Sequence, residues 1–210
     1  QLPDRFSGSV RGENFGPGYL NTSIYANNDR GRGIVLQTNG FIAVVGHSNN
    51  GTSDELAMVR YAPEGELDTS FHTDGKYTED VSTGPDLLHS VALQTDGKLV
   101  ASGRAGPGNN GSDFVIRRFL PSGTLDTSFY TSGKHTHSIH DGTDISRAVT
   151  IATDGTIYSA GYTWWFGRYM FAVARYATSG QLDTAFNSTG KYVSMAIAQD
   201  SGLMAVTVQS

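Results

Sequence analysis

The chain has 210 residues, a formal net charge of −5 and no cysteine. The absence of cysteine excludes disulfides, thiolate metal sites and cysteine nucleophiles, and the acidic balance without a basic stripe argues against nucleic acid or an anionic membrane surface as a partner. Twenty-six glycines and only 17% charged residues are typical of a turn-dense β fold, and no apolar stretch is long enough to span a membrane as a helix.

Residues 1–28 are the least regular part of the chain. Arg5-Phe6 resembles Arg60-Tyr61, and Gly18-Tyr19 resembles Gly75-Lys76. We therefore interpret this stretch as the remnant of a repeat whose other part lies elsewhere in the chain.

From residue 29 onward the chain repeats one pattern three times, with a period of 57 to 58 residues. The copies cover about residues 29–86, 87–144 and 145–196. Each copy opens with two apolar, β-rich runs joined by Asn39-Gly40, Asp96-Gly97 or Asp154-Gly155. Such dipeptides are typical of the type I′ turn, in which both central residues have positive φ, so we predict a two-residue hairpin at the start of each copy.

The rest of each copy predicts two more strands. A third strand is expected at Ala57–Tyr61, Phe114–Phe119 and Phe171–Tyr176, each before a glycine-containing turn. A Leu-Asp-Thr phrase, another turn and a fourth short strand follow. Four short strands per copy fit a propeller blade, in which each sheet packs on the next around an axis.

The residues that recur in every copy are predicted to serve the scaffold. An arginine stands eight residues before an aspartate in each copy, and the two could form an ion pair across the turn; the pairs are Arg60 and Asp68, Arg118 and Asp126, and Arg175 and Asp183. A leucine and a phenylalanine near each aspartate are expected to fill the space between blades; they are Leu67, Phe71, Leu125, Phe129, Leu182 and Phe186.

The end of the chain repeats the start of a copy. Leu203 to Ser210 match Leu88 to Thr95 and stop where the next Asp-Gly would follow. We therefore predict a single all-β propeller domain over residues 1–210, with a fourth, incomplete blade formed by residues 1–28 and 197–210. A three-stranded fourth blade, a longer array and closure shared between two chains remain open alternatives.

The repeats resemble the delta-60 repeat family. The best copy combines Asp96-Gly97-Lys98, Arg118-Phe119, the run from Leu125 to Phe129, and Gly133-Lys134. The other copies depart from it at Phe41, Thr156 and Ala185. The resemblance covers about residues 29 to 195 and implies a secreted or surface β-propeller-like array, without implying a biochemical activity.

An aspartate lies ten residues before each hairpin turn, and a fourth occupies the corresponding place near the end of the chain; they are Asp29, Asp86, Asp144 and Asp200. If these residues begin the innermost strands, their carboxylates could converge on a calcium or magnesium ion at the axis. The alternative is that each aspartate caps the loop that enters its own strand.

The loops between the second and third strands differ most between copies. Two of them are polar, whereas the third contains both tryptophans of the chain. Aromatic faces can stack on sugar rings, and polar side chains can bind hydroxyl groups. The predicted sugar-binding residues are Tyr162, Trp164, Trp165, Phe166, Arg168, Tyr169, Asn49, Asn50, Asp54, Asn109, Asn110 and Asp113. The alternative is that the tryptophans close a blade edge or an oligomer contact.

Three histidines follow one another in the second copy. His135 and His137 would point to the same side of a strand and could share a transition metal, with His140 and Asp141 nearby. The alternative is ordinary packing, because His135 aligns with Tyr77 and Tyr192. No serine elbow, phosphate-binding loop or isolated pair of carboxylates predicts an active site.

These patterns predict a non-enzymatic, secreted, lectin-like propeller that binds glycans, requires no cofactor and has Ca²⁺ as an optional ligand. Low charge and four sequons favour an extracellular glycoprotein; the sequons begin at Asn21, Asn50, Asn110 and Asn187. The alternative function is a structural or adhesive surface module that binds another protein or a second copy of itself. Hydrolysis of a polysaccharide is a third option, although no acid and base are marked for it.

Overall fold

The computed structural model describes residues 20–107, 111–194 and 205–207, which form three four-stranded antiparallel sheets. The first sheet contains β1 (Asp29–Leu36), β2 (Ile42–Asn49), β3 (Asp54–Tyr61) and β4 (Lys76–Glu79). The second contains β5 (Leu87–Leu93), β6 (Leu99–Ala105), β7 (Asp113–Phe119) and β8 (Lys134–His137). The third contains β9 (Asp144–Ile151), β10 (Ile157–Trp165), β11 (Arg168–Tyr176) and β12 (Lys191–Val193).

Each sheet is one copy of the repeat, and its strands follow one another in chain order. The first strands of neighbouring sheets contact each other, β1 with β5 and β5 with β9. One apolar core lies between the first and second sheets, and another lies between the second and third. Successive sheets packed along their innermost strands are the blades of a β-propeller, so the predicted all-β propeller fold is confirmed. None of the described residues belongs to a helix that could span a membrane.

The predicted type I′ turn is wrong at all three Asn-Gly or Asp-Gly positions. Gly40, Gly97 and Gly155 have positive φ, but the residue before each of them does not. Gly40 N donates to Gln37 O at 2.9 Å, and Gln37 N donates to Phe41 O at 2.8 Å. These bonds define a three-residue loop, in which a type I turn is followed by a left-handed glycine. Asn-Gly and Asp-Gly occur in the type I′ turn and in this three-residue loop, so the dipeptide alone does not distinguish the two turn types.

The first strand of every blade contains one extra residue. In β1, Gly31 pairs with Gly46 and Gly33 pairs with Val45, so Arg32 is left without a partner. His89 and Arg147 are the equivalent extra residues in β5 and β9. Such a β-bulge turns the extra side chain away from the regular alternation of the strand.

A glycine stands opposite each bulge because the backbone leaves no space for a side chain. A Cβ added at Gly46, Gly103 or Gly161 would overlap the carbonyl oxygen of a residue in the bulged strand. The bulge therefore explains why a glycine recurs at the end of the hairpin segment in every copy.

The predicted arginine–aspartate pairs are present in all three blades. Arg60 Nε donates to Asp68 at 2.6 Å, Arg118 Nε donates to Asp126 at 2.9 Å, and Arg175 Nη2 lies 2.8 Å from Asp183. The first two arginines are buried, and each also donates to the next blade, Arg60 to the carbonyl of Pro121 and Arg118 to that of Thr178. These two pairs therefore join neighbouring blades as well as closing their own turn.

The recurring phenylalanines fill the gaps between blades where the next blade is described. Phe71 and Phe129 are completely buried. A Cβ at Gly123 would lie 2.6 Å from the Phe71 ring, and one at Gly180 would lie 2.7 Å from the Phe129 ring. Phe186 in the third blade is only half-buried. The inter-blade role is confirmed for the first two phenylalanines.

The predicted fourth blade falls mostly outside the described residues, which include only 20–28 and 205–207 of its two parts. In the segment before β1, Ile24 N donates to Asp29 Oδ2 at 2.8 Å. The segments before β5 and β9 make the same kind of bond, from Val81 N to Asp86 and from Ile139 N to Asp144. The chain thus enters all three blades in the same way. The single-domain organisation over residues 1–210 stays a prediction.

Candidate functional site

The loops between second and third strands lie at one end of the propeller, which we call the loop end. The loops that precede β5 and β9 lie there too, since Asp86 N donates to Asp54 O and Asp144 N donates to Ser112 O. The glycine turns and the arginine–aspartate pairs lie at the opposite end, the turn end.

In the third blade, the loop-end connection is a tight hairpin. β10 and β11 pair without interruption as far as Trp165 and Arg168. Phe166 and Gly167 form the turn, with φ values of 48° and 75°. Positive φ at both positions is the requirement of a type I′ turn. The aromatic residues are therefore held by a regular sheet and not by an irregular loop.

The hairpin presents a continuous aromatic face, which consists of Tyr162, Trp164 and Tyr169. The ring centroid of Tyr169 lies 4.9 Å from that of Tyr162 and 4.7 Å from that of Trp164, both in edge-to-face geometry. Trp164 retains 37% of its exposure. Edge-to-face contacts fix ring orientation, so the exposed tryptophan stands on a rigid support.

The other aromatic residues of the hairpin lie apart from this face. Trp165 stacks on Phe166 with centroids 4.7 Å apart, and it contacts His140 at 4.1 Å. Phe166 at the tip is 73% exposed. Arg168, the first residue of β11, pairs with Trp165 and is half-buried. The sequence-based set of six hairpin residues thus divides into an aromatic face of three residues, a packed tryptophan, Arg168 opposite that tryptophan in the sheet, and an exposed tip.

Next to the aromatic face, basic side chains from three blades converge at the innermost strands. We call this group the cationic centre; its members are Arg32, His47, His89, Arg104 and Arg147. Three of them are the bulge residues of β1, β5 and β9, and the other two follow the glycines that face the bulges in β2 and β6. The corresponding position in β10 is occupied by Tyr162, which joins the centre to the aromatic face.

Arg147 makes that connection. Its Nη2 donates to Tyr162 Oη at 2.8 Å, and its guanidinium carbon lies 5.3 Å from the centre of the Tyr162 ring. A hydrogen bond and a cation–π contact from one side chain hold the tyrosine against the cationic centre. The exposed Trp164 and the innermost strands therefore belong to one continuous surface.

The charges of the cationic centre act on one another. Burial, together with the positive charges of Arg147, Arg32 and Arg104, lowers the pKa of His89 to about 3. Burial also lowers the pKa of His47, against the attraction of Asp54. His47 Nδ1 accepts a hydrogen bond of 3.2 Å from Arg32 Nε. Both histidines are therefore neutral at pH 7, while the arginines carry the charge.

The predicted residues of the first polar loop mainly bind one another. Asn49 Nδ2 donates to Asp54 at 2.8 Å, and Asn50 Nδ2 donates to Glu55 at 2.5 Å. Asn50 Oδ1 also accepts bonds from the backbone of Thr52 and Ser53. These contacts stabilise a turn. In the second loop, Asn109 and Asn110 lie outside the described residues, and burial raises the pKa of Asp113.

The three described aspartates of the predicted ring each cap the loop before their own strand. Asp86 accepts bonds from the backbone nitrogens of Val81 and Ser82 and from Gly106 N. Asp29 and Asp144 accept equivalent bonds from Ile24 and Ile139. In the described part of the chain no group of three or more acidic or histidine side chains could hold a metal. Asp200 lies outside the described residues, and the Ca²⁺ site stays a prediction.

His135 is buried and His137 is half-buried between the second and third blades. His135 Nδ1 lies 2.8 Å from Gly180 O, and His137 Nε2 lies 2.7 Å from Tyr176 Oη. The His135 ring also stacks on Tyr130 with centroids 3.7 Å apart. Their ring nitrogens are used in contacts between blades, which favours the packing interpretation over a shared metal.

Two of the sequon asparagines use their side chains in turns. Asn50 does so as described above, and Asn187, at a φ of 50°, donates to Lys191 O at 2.8 Å. Asn21 is exposed, and Asn110 lies outside the described residues. Glycosylation stays a prediction.

Sequence reasoning missed the cationic centre. Its residues come from three copies and lie far apart in the chain, so they form no basic stripe in a protein whose net charge is −5. Alignment of the copies could have pointed to two of its members. The residue after Gly46, Gly103 and Gly161 differs between copies, although the segment around it recurs. The sequence does not reveal the bulges. Side-chain direction in a strand is predicted from its period-two alternation, and one extra residue interrupts that alternation.

Stacked four-stranded blades with a variable loop end define a β-propeller repeat protein. The repeats match the family model described as "Domain of unknown function (DUF5122) beta-propeller" at residues 37–71, 94–129 and 152–186. The chain belongs to this family, which confirms the propeller-repeat resemblance. No curated protein matches the chain.

Proposed function

We propose that this propeller is a carbohydrate-binding protein that uses its loop end and acts by binding without catalysis. The observation that carries the proposal is the aromatic face of the β10–β11 hairpin. Its exposed Trp164 is supported by Tyr169 and, through it, by Tyr162. A flat apolar ring held in a fixed orientation suits the face of a sugar ring, since little conformational entropy is lost on binding.

The neighbouring polar groups support the same proposal. Arg147 lies within hydrogen-bonding distance of Tyr162, and guanidinium nitrogens can donate to the hydroxyl groups of a sugar. A site that combines one apolar surface with a few oriented donors is the usual composition of a small-molecule site. We further propose an extracellular location, which the low charge and the sequons favour.

A glycan array with the wild type and two tryptophan variants tests the proposal. We expect Trp164→Ala to lower affinity about fivefold or more, because a stacked aromatic contact contributes on the order of 1 kcal/mol or more. Trp165→Ala is the matched control, since Trp165 packs on His140 and Phe166 away from the aromatic face. Absence of binding by the wild type to any glycan at millimolar concentration would overturn the proposal.

A structural or adhesive role is the second candidate, and the exposed tip of the hairpin favours it. Phe166 is 73% exposed, and an exposed aromatic residue can anchor a protein contact. Sedimentation velocity of the wild type and Phe166→Ser distinguishes the candidates. Concentration-dependent association that Phe166→Ser abolishes, together with an empty glycan array, would establish the adhesive role instead.

A further inference from the structure

The cationic centre contains polar atoms that the protein leaves unpaired. His89 Nδ1, Arg104 Nη1 and Arg147 Nε are buried and have no hydrogen-bond partner among the described residues. His89 is only 9% exposed. Buried polar groups are normally hydrogen-bonded, because an unpaired one keeps its full desolvation cost. Three such atoms in one cluster leave hydrogen-bonding capacity that the described residues do not use.

Positive charge is also in excess at this position. Burial lowers the pKa of Arg104, and the charges of Arg147 and Arg32 lower it in the same direction. Two carboxylates lie nearby. Asp54 is 3.7 Å from His47 Nε2, and Asp86 already accepts bonds from its own loop. Neither of them forms an ion pair with Arg104 or Arg147 within the described part of the chain.

We propose that the cationic centre binds an oxyanion carried on a sugar ring, a carboxylate or a sulfate ester, so that the loop end selects acidic glycans. The inference rests on the proposed carbohydrate-binding function. Guanidinium groups match both oxyanions, since they offer parallel donors and remain charged. An oxyanion at the centre would supply acceptors for the unpaired arginine nitrogens and offset their mutual repulsion.

The position of the centre supports this ligand class. Arg147 contacts Tyr162, the inner residue of the aromatic face. A sugar stacked on Trp164 and Tyr169 would therefore direct a substituent towards the innermost strands. The arginines of β6 and β9 are half-buried, and the whole chain has a net charge of −5. A recessed centre in an acidic protein suits one anionic substituent better than a continuous polyanion.

The test is an array of matched glycan pairs, followed by calorimetry on the best pair. Each pair shares a sugar skeleton and differs in one group: galactose with galacturonate, glucose with glucuronate, and galactose with its 6-sulfate. The carboxylate and sulfate arms identify which oxyanion is preferred. The proteins are the wild type, Arg147→Met, and the control Lys98→Met, which removes the same charge at the turn end.

We expect the wild type to bind the acidic member of at least one pair about tenfold more tightly than the neutral member, as a charge-assisted contact predicts. Arg147→Met should abolish that preference, so that it binds both members of the pair with similar affinity, whereas Lys98→Met should change neither the preference nor the affinity for the neutral member. Equal binding within all pairs, or a preference that survives Arg147→Met, would overturn the inference while leaving carbohydrate binding intact. If no glycan binds, the proposed function fails and the inference fails with it.

Discussion

The two ends of the propeller use equivalent positions in different ways. At the turn end, equivalent side chains make equivalent contacts, as Arg60 and Arg118 do with their aspartates and with the next blade. At the loop end, equivalent positions hold different residues: the bulges carry Arg32, His89 and Arg147. The comparison indicates that the turn end stabilises the stack of blades, whereas equivalent positions of the loop end differ from blade to blade.

The largest expected effect comes from filling the space that a turn-end glycine leaves. Gly123 has a φ of 88°, and a Cβ there would collide with His72 N and with the Phe71 ring of the preceding blade. We expect Gly123→Ala to lower the free energy of unfolding by about 4 kcal/mol or to prevent folding, because strain and overpacking add.

The matched control is Gly167→Ala in the loop-end hairpin. Gly167 has a φ of 75°, but nothing lies within 4 Å of an added Cβ. Only the backbone strain of about 1 kcal/mol remains. Urea denaturation of both variants measures the difference. Equal losses of stability would contradict the division between the two ends.

The next effect comes from breaking a buried ion pair at the turn end. Arg118→Met leaves the buried carboxylate of Asp126 with Lys98, 3.6 Å away, as its remaining cation and also removes the bond to Thr178 O. We expect a loss of about 3 kcal/mol in unfolding free energy. Arg175→Met is the control, because its pair with Asp183 is 23% and 29% exposed and should contribute about 1 kcal/mol or less. Thermal and urea denaturation report both values. The interpretation is wrong if Arg175→Met is the more damaging change.

Acid should act mainly through histidines nearer the loop end. Burial lowers the pKa of both His89 and His137 to about 3, whereas the unfolded value is about 6.5. The unfolded chain therefore binds more protons between these values, and stability that is complete above about pH 6.5 declines as the pH falls towards 3. The expected loss is about 1.4 kcal/mol per pH unit for each histidine across that window.

Urea denaturation at several pH values tests this expectation. His137→Gln should reduce the slope of stability against pH, because it removes one of the two groups. His72→Gln, at an exposed position of the turn end, should leave the slope unchanged. A slope that does not respond to His137→Gln would show that other groups control acid unfolding.

The smallest expected change in stability is at the cationic centre itself. Arg147→Met removes a half-buried charge whose Nε is unpaired, together with the hydrogen bond and the cation–π contact to Tyr162. The relief of repulsion and the lost contacts oppose each other, so we expect stability to stay within about 0.5 kcal/mol of the wild type. Differential scanning calorimetry measures this directly. A loss comparable with that of Arg118→Met would show that Arg147 serves the scaffold as well.

The scaffold was largely predictable from the sequence, because each of its features occurs in all three copies of the repeat. The arginine–aspartate spacing correctly predicted the ion pairs. The third strands begin earlier than predicted, at Asp54, Asp113 and Arg168. Polar residues at a strand end can pair through their backbone as well as apolar ones do, so the apolar pattern underestimated the strand length.

The candidate site was predictable only in part. The aromatic hairpin was visible because both tryptophans occur in one loop of one copy. The centre beside it depends on contacts between blades, since Arg32, His89 and Arg147 are more than fifty residues apart along the chain. Their proximity follows from the stacking of the blades and from the bulges, which no local pattern in the sequence specifies.

The bulge has a consequence for how this protein can change over time. Residues in regular strand positions pack against a neighbouring blade, so a substitution there must fit two surfaces at once. The extra residue of a bulged strand leaves this alternation, and the glycine opposite it gives the bulged backbone room. Each blade thus contributes one position that is not bound to the regular alternation of its strand. A lineage of such propellers could acquire new ligands by single substitutions at these positions, while its blades stayed the same.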